Sequence, residues 1–447
     1  MVQIQELAYR PDAAALFAAI RDLPDPVWLD SGRPGNRAGR YDLISAAPAR
    51  LVTAVPGEVC NALDSARALL GEMAEASGKD PAGADLPFTG GLIGTLSYPA
   101  GQELTGLAPH PKEALGWPPL RAGNYSWAAI VDHLRRRAML VFHPWCTAEL
   151  RREVRARCAE AASVPEAGTF QLTDAFRATT SPRRFRSDIA RILDYLHAGD
   201  CYQVNYAQHF RAGCQGDPWH AYRRLRTLLP SPYSAYLEWP GHAVLSLSPE
   251  QFLGVCGDRV QTRPIKGTTP RGATPVEDAA LAAALRNSAK DRAENLMIVD
   301  LLRNDLGKSC VAGTIAVPDL FRLESFANVH HLVSTITGRL RADQTPLDLL
   351  ENCFPGGSVT GAPKRRAMEI IAELEPIGRA LYCGSIFLAS ANGYMDSNIA
   401  IRTLLVADGE IHCWGGGGIV ADSDAEGEYR ESRIKVELLM AALGAVP

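Results

Sequence analysis

Lys266 lies in Pro264-Ile265-Lys266-Gly267-Thr268, a tight, Gly-containing strand end where a lysine amine could act as a nucleophile. An amine attacks carbon only when neutral, and a free lysine with pKa ~10.4 is neutral in roughly one molecule in a thousand at pH 7. Burial or a cationic neighbour lowers that pKa and frees the lone pair. A solvated surface charge is the ordinary alternative for any lysine, so its surroundings must decide. Acidic residues are the next candidates. Glu294 sits in Asp291-Arg292-Ala293-Glu294-Asn295-Leu296-Met297, at the start of an apolar helix, and Glu428 and Glu431 are three apart on one face of the last helix. Mg²⁺ takes one or two carboxylates plus substrate oxygens and water, so helices from distant segments could share one ion. Taken singly, each of these glutamates also fits a salt-bridged helix surface.

Anion-binding candidates follow. Cys413-Trp414-Gly415-Gly416-Gly417-Gly418-Ile419 ends a strand with four glycines, which would either expose backbone N–H groups to a carboxylate or simply form a turn. Pro355 to Lys364 (Pro-Gly-Gly-Ser-Val-Thr-Gly-Ala-Pro-Lys) leads into a helix whose N-terminus could face an anion. It is not a P-loop, because Ala362-Pro363 stands where Gly-Lys-Ser/Thr would be needed. Arg402, on the apolar strand Ile401-Arg402-Thr403-Leu404-Leu405, is unusual because a strand interior seldom buries a guanidinium without a bidentate partner. Lys435 and Tyr382 are further donors. His330 and His331 open a strand that sends their rings to opposite faces, a poor metal pair.

The elements that must hold these groups form an α+β pattern without regular βαβ alternation. The first third reads as short strands, a hairpin around Asp132 to Arg137, and a helix from Glu149 to Ala162. The arginines of that hairpin belong to a solvated tip. An Ala/Thr/Ser-rich stretch, residues 166–182, is the candidate linker between an N-terminal region (1–165) and a catalytic region (183–447). Beyond it, Ile189, Ile192, Leu193 and Leu196 follow helical spacing, and Gly199 closes that helix. A strand from Tyr202, helices near Val276–Asn287 and Ala289–Asp305, a strand from His331, a helix Lys364–Leu374, a hairpin Ile399–Trp414 and a closing helix Glu428–Leu443 complete the chain.

The bulk composition removes several function classes. A chain of 447 residues with 47% hydrophobic and 21% charged residues is an ordinary globular protein. Its net charge of −4 provides no basic field for nucleic acid and no polybasic membrane face. No apolar run approaches the ~18 residues of a membrane span. The ten cysteines show no C-x-x-C pair, which suits reduced thiols, and no signal-peptide pattern opens the chain; a cytoplasmic location is expected.

Together these segments resemble the chorismate-utilising enzymes of the anthranilate synthase component I family. The resemblance rests on Arg292 to Leu306, Val329 to Ser334, Phe354 to Lys364, Tyr382-Cys383-Gly384, Ile401-Arg402-Thr403 and Gly416 to Gly418, in family order. It implies a two-layer antiparallel β-sandwich flanked by helices, with chorismate and Mg²⁺ in a cleft. By position it implies Glu294 and Glu431 as Mg²⁺ ligands, with Asp291 and Glu428 nearby. Tyr382, Arg402, Gly416, Gly418 and Lys435 would bind the two substrate carboxylates. Gly267, Thr268 and Ser358 would line the pocket, and His331 would stand beside the ring. Glu250, in Ser248-Pro249-Glu250, resembles the general acid that protonates the departing C4 hydroxyl.

Two positions separate family members. Isochorismate and salicylate synthases are similar to this chain but carry a water-activating lysine about where Gln203 stands, and a neutral amide cannot take that proton. Anthranilate synthases typically read Pro-Ile-Ala-Gly-Thr where this chain has Lys266. The lysine form is similar to the members that aminate C4 of chorismate on the route to 4-aminobenzoate and folate. The resemblance then implies attack of Lys266 on C2 and displacement of Lys266 by ammonia at C4; the alternative, amination at C2, leaves Lys266 incidental. No Gly-x-Cys-x-Gly glutaminase turn is present, so ammonia is expected from a separate glutamine amidotransferase partner. Ser31 and Pro232-Tyr233-Ser234 match the family's tryptophan pocket, although Leu29-Asp30-Ser31-Gly32 departs from its Leu-Leu-Glu-Ser pattern.

Overall fold

The computed structural model describes all residues except 37, 79–82, 84, 114, 162–167, 327–328 and 445–447. Among the described residues two antiparallel sheets dominate, of 13 and 10 strands. The larger runs from Gln3–Leu7 through Arg137–Phe142, Trp127–Asp132, Tyr41–Ser45 and Val27–Asp30 to Tyr233–Trp239, His242–Ser248, Thr403–Ala407, Glu410–Ile419 and Gln203–Gly216. The smaller runs from Ile265–Pro270 through Val329–Arg339, Arg259–Arg263, Gln251–Cys256, Met395–Asn398 and Ser385–Ser390 to Gly91–Leu96, Leu120–Tyr125 and Arg50–Thr53.

Central strands of the larger sheet, such as Trp127–Asp132 and Thr403–Ala407, are buried on both faces, which is why they read as near-continuous apolar runs. In Trp127–Asp132, Ala128 and Ile130 face the core shared with the smaller sheet, while Trp127, Ala129 and Val131 face a second core under helices. Period-two alternation thus feeds two different cores. The helix Pro182–His197 starts at Ser181, whose hydroxyl accepts from the Arg184 N–H, and it buries Phe185, Ile189, Ile192 and Leu196. No helix among the described residues is long and apolar enough to cross a membrane.

Strands from both sides of the expected linker pair directly: Val27–Asp30 lies against Tyr233–Trp239, and Gly91–Leu96 against Ser385–Ser390. The N-terminal region therefore completes the same two sheets as the catalytic region. The described part of the linker contains two short strands, Phe170–Leu172 and Arg177–Ala178, that pair with Gln203–Gly216.

Two further expectations change. The glycines from Gly415 to Gly418 lie inside the strand Glu410–Ile419, paired with residues Asn205 to Gln208, and do not form a turn. A Cβ on Gly415 would fall 2.1 Å from the Ser432 carbonyl, so the glycines let the helix Ala425–Gly444 close on the sheet. Arg402 stands just before the strand Thr403–Ala407, not within it, at φ 49°. Such a left-handed backbone in a non-glycine residue stores strain of the kind found at ligand clamps.

Candidate active site

Glu250 follows the strand His242–Ser248 and is buried at 4% exposure. Its position is held by Ser248, whose hydroxyl donates to the Ile399 carbonyl (2.6 Å), while the Ile399 N–H donates to the Glu250 carbonyl (3.1 Å). Ser358 Oγ donates to Glu250 Oε1 at 2.9 Å. Burial pushes the Glu250 carboxyl up to about 7, against the Ser358 hydrogen bond and the Lys266 charge, which favour the anion. A carboxyl at that value can hold a proton and release it near neutral pH.

Lys266 stands on the edge strand Ile265–Pro270, and its Nζ donates to the Ser358 carbonyl at 3.2 Å. Burial draws its pKa below the ordinary lysine value; Glu250 resists and Lys435 assists. Gly267 follows at φ +80°, where a Cβ would also come within 3.0 Å of Asp291 Oδ1 and Leu285 Cδ1. That close approach seats the strand on the helix Ala289–Gly307. Ser288 caps the helix by accepting from the Asp291 N–H at 3.2 Å.

Four acidic residues gather on two helices. Burial raises Glu294, and the charges of Asp291 and Glu431 add to the rise. Burial also raises Glu428, again with a contribution from Glu431, although Ser423 Oγ donates to its Oε1 at 2.6 Å. For Glu431 burial pushes upward, but Lys435, at 2.7 Å, outweighs it and leaves the carboxyl below its usual value. A Cβ on Gly417 would lie 3.1 Å from Glu428 Oε2 and 3.3 Å from Glu431 Oε1, so this glycine opens the space the two carboxylates occupy. Among the described residues no three His, Cys, Asp or Glu side chains converge into a closed metal site. The set is all oxygen, mutually repelling and partly desolvated, which fits a hard cation that also takes substrate oxygens and water.

The anion-binding candidates border this wall. The Arg402 guanidinium is largely buried, its pKa lowered by that burial, and its side chain has no hydrogen-bond or carboxylate partner among the described residues. Lys435 Nζ donates to the Gly416 carbonyl at 2.9 Å. Gly418 packs on Gln203, whose buried amide is unpartnered among the described residues. Tyr382 is buried and stacked on Trp414, ring centroids 6.0 Å apart. His331, on the strand Val329–Arg339, pairs through Nδ1 with Thr268 Oγ1 at 2.9 Å; burial, with Arg402 nearby, pulls its pKa down to about 3. His330 faces elsewhere, within 3.0 Å of Asp278 Oδ1.

A cavity of about 570 Å³ opens between the sheets. Pro232, Tyr233 and Ser234 line it, but Ser31 does not. Ser31 is buried at 1% exposure with its hydroxyl unpartnered among the described residues. Ile265, next to Lys266, and Pro249, next to Glu250, form part of the same wall.

The sequence did not mark Arg379, which holds the site's back wall. Fully buried, it donates to Glu375 (2.9 and 2.7 Å), to the Val359 carbonyl (2.9 Å) and to the Asn205 carbonyl (2.7 Å). It sits in a loop after Gly378, where no periodicity or spacing distinguishes it.

A family profile described as chorismate binding enzyme matches residues 25–441. The chain belongs to that family. This chorismate-binding family member is 44% identical to aminodeoxychorismate synthase component 1 of Klebsiella aerogenes, over 98% of both chains. It is 42% identical to the protein of the same name from Escherichia coli K12, over 98% of this chain and 97% of the other. Among solved structures, anthranilate synthase component I from Streptococcus pneumoniae TIGR4 superposes on it with a TM-score of 0.78. That match has 29% identity and covers 90% of this chain and 92% of the other. The α+β sandwich of this family member is thus the fold of chorismate-utilising enzymes.

Proposed function

We propose that this chain is the chorismate-aminating subunit of an aminodeoxychorismate synthase, converting chorismate and ammonia to 4-amino-4-deoxychorismate. The observation that carries this reading is Lys266: an amine with a lowered pKa, held beside a carboxyl poised near neutrality. The relatives that align along essentially the whole chain carry the same activity in their names.

In the first step the neutral amine of Lys266 attacks C2 of chorismate as the ring double bonds shift. The C4–O bond breaks, and Glu250 donates its proton so that the oxygen leaves as water. In the second step ammonia attacks C4, the double bonds shift back, and the C2–N bond to Lys266 breaks. Lys266 recovers its lone pair once the protons are passed to Glu250 and solvent. Two allylic displacements place nitrogen at C4.

The unpaired Arg402 would take one substrate carboxylate bidentately, with Tyr382, Lys435 and the backbone of Gly416 and Gly418 completing the binding set. Gly267 and Thr268 would line the pocket, and His331, neutral at working pH, would offer a hydrogen bond beside the ring. Glu294 and Glu431 would hold Mg²⁺, with Asp291 and Glu428 close to it or its waters. Bound there, the ion would neutralise a substrate carboxylate and increase the electron demand of the ring. A component 1 works with another component, and the reading assigns that partner as a glutamine amidotransferase that supplies ammonia. The inter-sheet cavity, within the size range of small-molecule pockets, would be the place for tryptophan.

The test is incubation of the protein with chorismate, Mg²⁺ and ammonium, with the products separated chromatographically. 4-Amino-4-deoxychorismate is expected. Anthranilate as the main product would instead establish C2 amination and leave Lys266 without its role.

A further inference from the structure

Ser358 occupies a single 3-10 turn, Gly357–Val359, whose position is fixed from every side. The Thr360 hydroxyl donates to the Gly356 carbonyl (3.0 Å), the Asn205 N–H donates to the Thr360 carbonyl (2.8 Å), and Arg379 donates to the Val359 carbonyl (2.9 Å). A Cβ on Gly357 would fall 2.5 Å from Leu301 Cδ2, so the turn is pressed onto the helix that also carries Glu294. The Glu250 backbone is tied down through Ile399. Both ends of the Ser358–Glu250 hydrogen bond are therefore immobilised.

We propose that Ser358 is a positioning residue that couples donor and nucleophile: its hydroxyl fixes the Glu250 carboxyl, and its carbonyl fixes the Lys266 amine. This rests on the reading above and departs from the pocket-lining role implied by resemblance. The hydroxyl has one proton, and that proton is directed to Glu250. None remains for a substrate carboxylate, which needs donors. A carbonyl also suits the lysine better than a carboxylate, because it orients the amine without holding the ammonium form as strongly.

The coupling acts most strongly during proton transfer. When Glu250 gives up its proton, the Ser358 hydrogen bond becomes charge-assisted and so roughly twice as strong. An interaction that tightens as the C4 hydroxyl departs favours the transition state over the ground state. The charged groups acting on Glu250 from neighbouring elements are Lys266 and Lys435, and both remain when the hydroxyl is removed.

The test compares wild type with Ser358→Ala and Ser358→Thr at saturating ammonium and Mg²⁺ across pH. Ser358→Ala should lower kcat about tenfold below pH 7, the effect of ~1.4 kcal/mol from one hydrogen bond to a charged group. It should leave the KM for chorismate within about twofold and move the basic limb of kcat upward by about one pH unit. Ser358→Thr should restore both quantities. A tenfold rise in KM with the limb unmoved would overturn the proposal and make Ser358 a substrate ligand.

A reaction-free readout separates this inference from the assigned activity. The infrared band of the protonated carboxyl that disappears in Glu250→Gln should titrate at higher pH in Ser358→Ala than in wild type, with no substrate present. Equal midpoints would sink the coupling even if the enzyme makes 4-amino-4-deoxychorismate. A raised midpoint with no such product would retain the coupling and remove the assigned reaction. Should Ser358→Ala fold poorly, Ser358→Cys, a weaker donor of similar size, should shift the midpoint in the same direction by less.

Discussion

Glu250 and Lys266 are tied to opposite ends of one residue: the acid accepts from the Ser358 hydroxyl at 2.9 Å, and the amine donates to the Ser358 carbonyl at 3.2 Å. Burial moves both toward their neutral forms, the carboxyl upward and the amine downward. A protonated acid beside a free amine is the starting state that nucleophilic displacement of a hydroxyl requires.

That state should be trapped covalently when ammonia is withheld. With chorismate and Mg²⁺ alone, intact-mass spectrometry should find chorismate less one water added to the wild-type chain. Lys266→Arg should show no addition, and its amination kcat should fall by at least about a thousandfold. Wild type that binds chorismate yet never carries the addition would refute the covalent step.

Glu250 also sets a pH dependence of stability. Its folded pKa of about 7 lies above the ordinary carboxyl value of 4.5, so between those values the folded protein binds more protons than the unfolded chain. Stability from this group is therefore full below about pH 4.5 and is lost as pH rises toward 7 and beyond. Glu250→Gln, which never ionises, should raise the unfolding free energy at pH 8 by roughly 3 kcal/mol and change it little at pH 4. Denaturant titrations at the two pH values measure the difference.

Arg402 shows a trade between stability and binding. An unpaired, largely buried guanidinium destabilises the empty protein, so Arg402→Met should stabilise it by about 1–3 kcal/mol. The same change should raise the KM for chorismate on the order of a hundredfold, because a bidentate charge-assisted contact is lost. Thermal unfolding without substrate and steady-state kinetics test the two effects separately. A less stable Arg402→Met with normal KM would contradict both.

Gly417→Ala probes the acidic wall. The new methyl would crowd Glu428 and Glu431 at about 3.1 and 3.3 Å. The Mg²⁺ concentration for half-maximal activity should rise roughly tenfold, a size typical of disturbed metal-site geometry. At saturating Mg²⁺ the KM for chorismate should change little. An unchanged Mg²⁺ requirement would move the ion away from these carboxylates.

Local patterns were legible wherever an element carries its own signal. The helix Lys364–Leu374 has the bounds read from the sequence, and the helix opened by Ser181 buries Ile189, Ile192 and Leu196 of the expected spacing. The glycines from Gly415 to Gly418 do end a strand, and the turn alternative fails because all four stay paired with residues Asn205 to Gln208. At Gly415 and Gly417 the packing of Ala425–Gly444 is what requires glycine, while Gly416 and Gly418 lie against the strand Gln203–Gly216. Arg402 was assigned to a strand interior because its neighbours are apolar, and sequence pattern carries no trace of its left-handed backbone.

By itself the sequence determined which chemical groups this protein has and the family motifs in which they stand: Lys266, Glu250, the acidic helices and the Gly-rich strand. Tertiary structure decided which of those groups lose water and which meet. Glu294 and Glu431 feel each other's charge only because two helices far apart in the chain, one packed on the smaller sheet and the other on the larger, face the same space, and Arg379 matters because it joins Glu375, four residues away, to the distant Val359 and Asn205 carbonyls. Protonation follows the same rule, since desolvation depends on everything packed around a group and not on its neighbours in the chain.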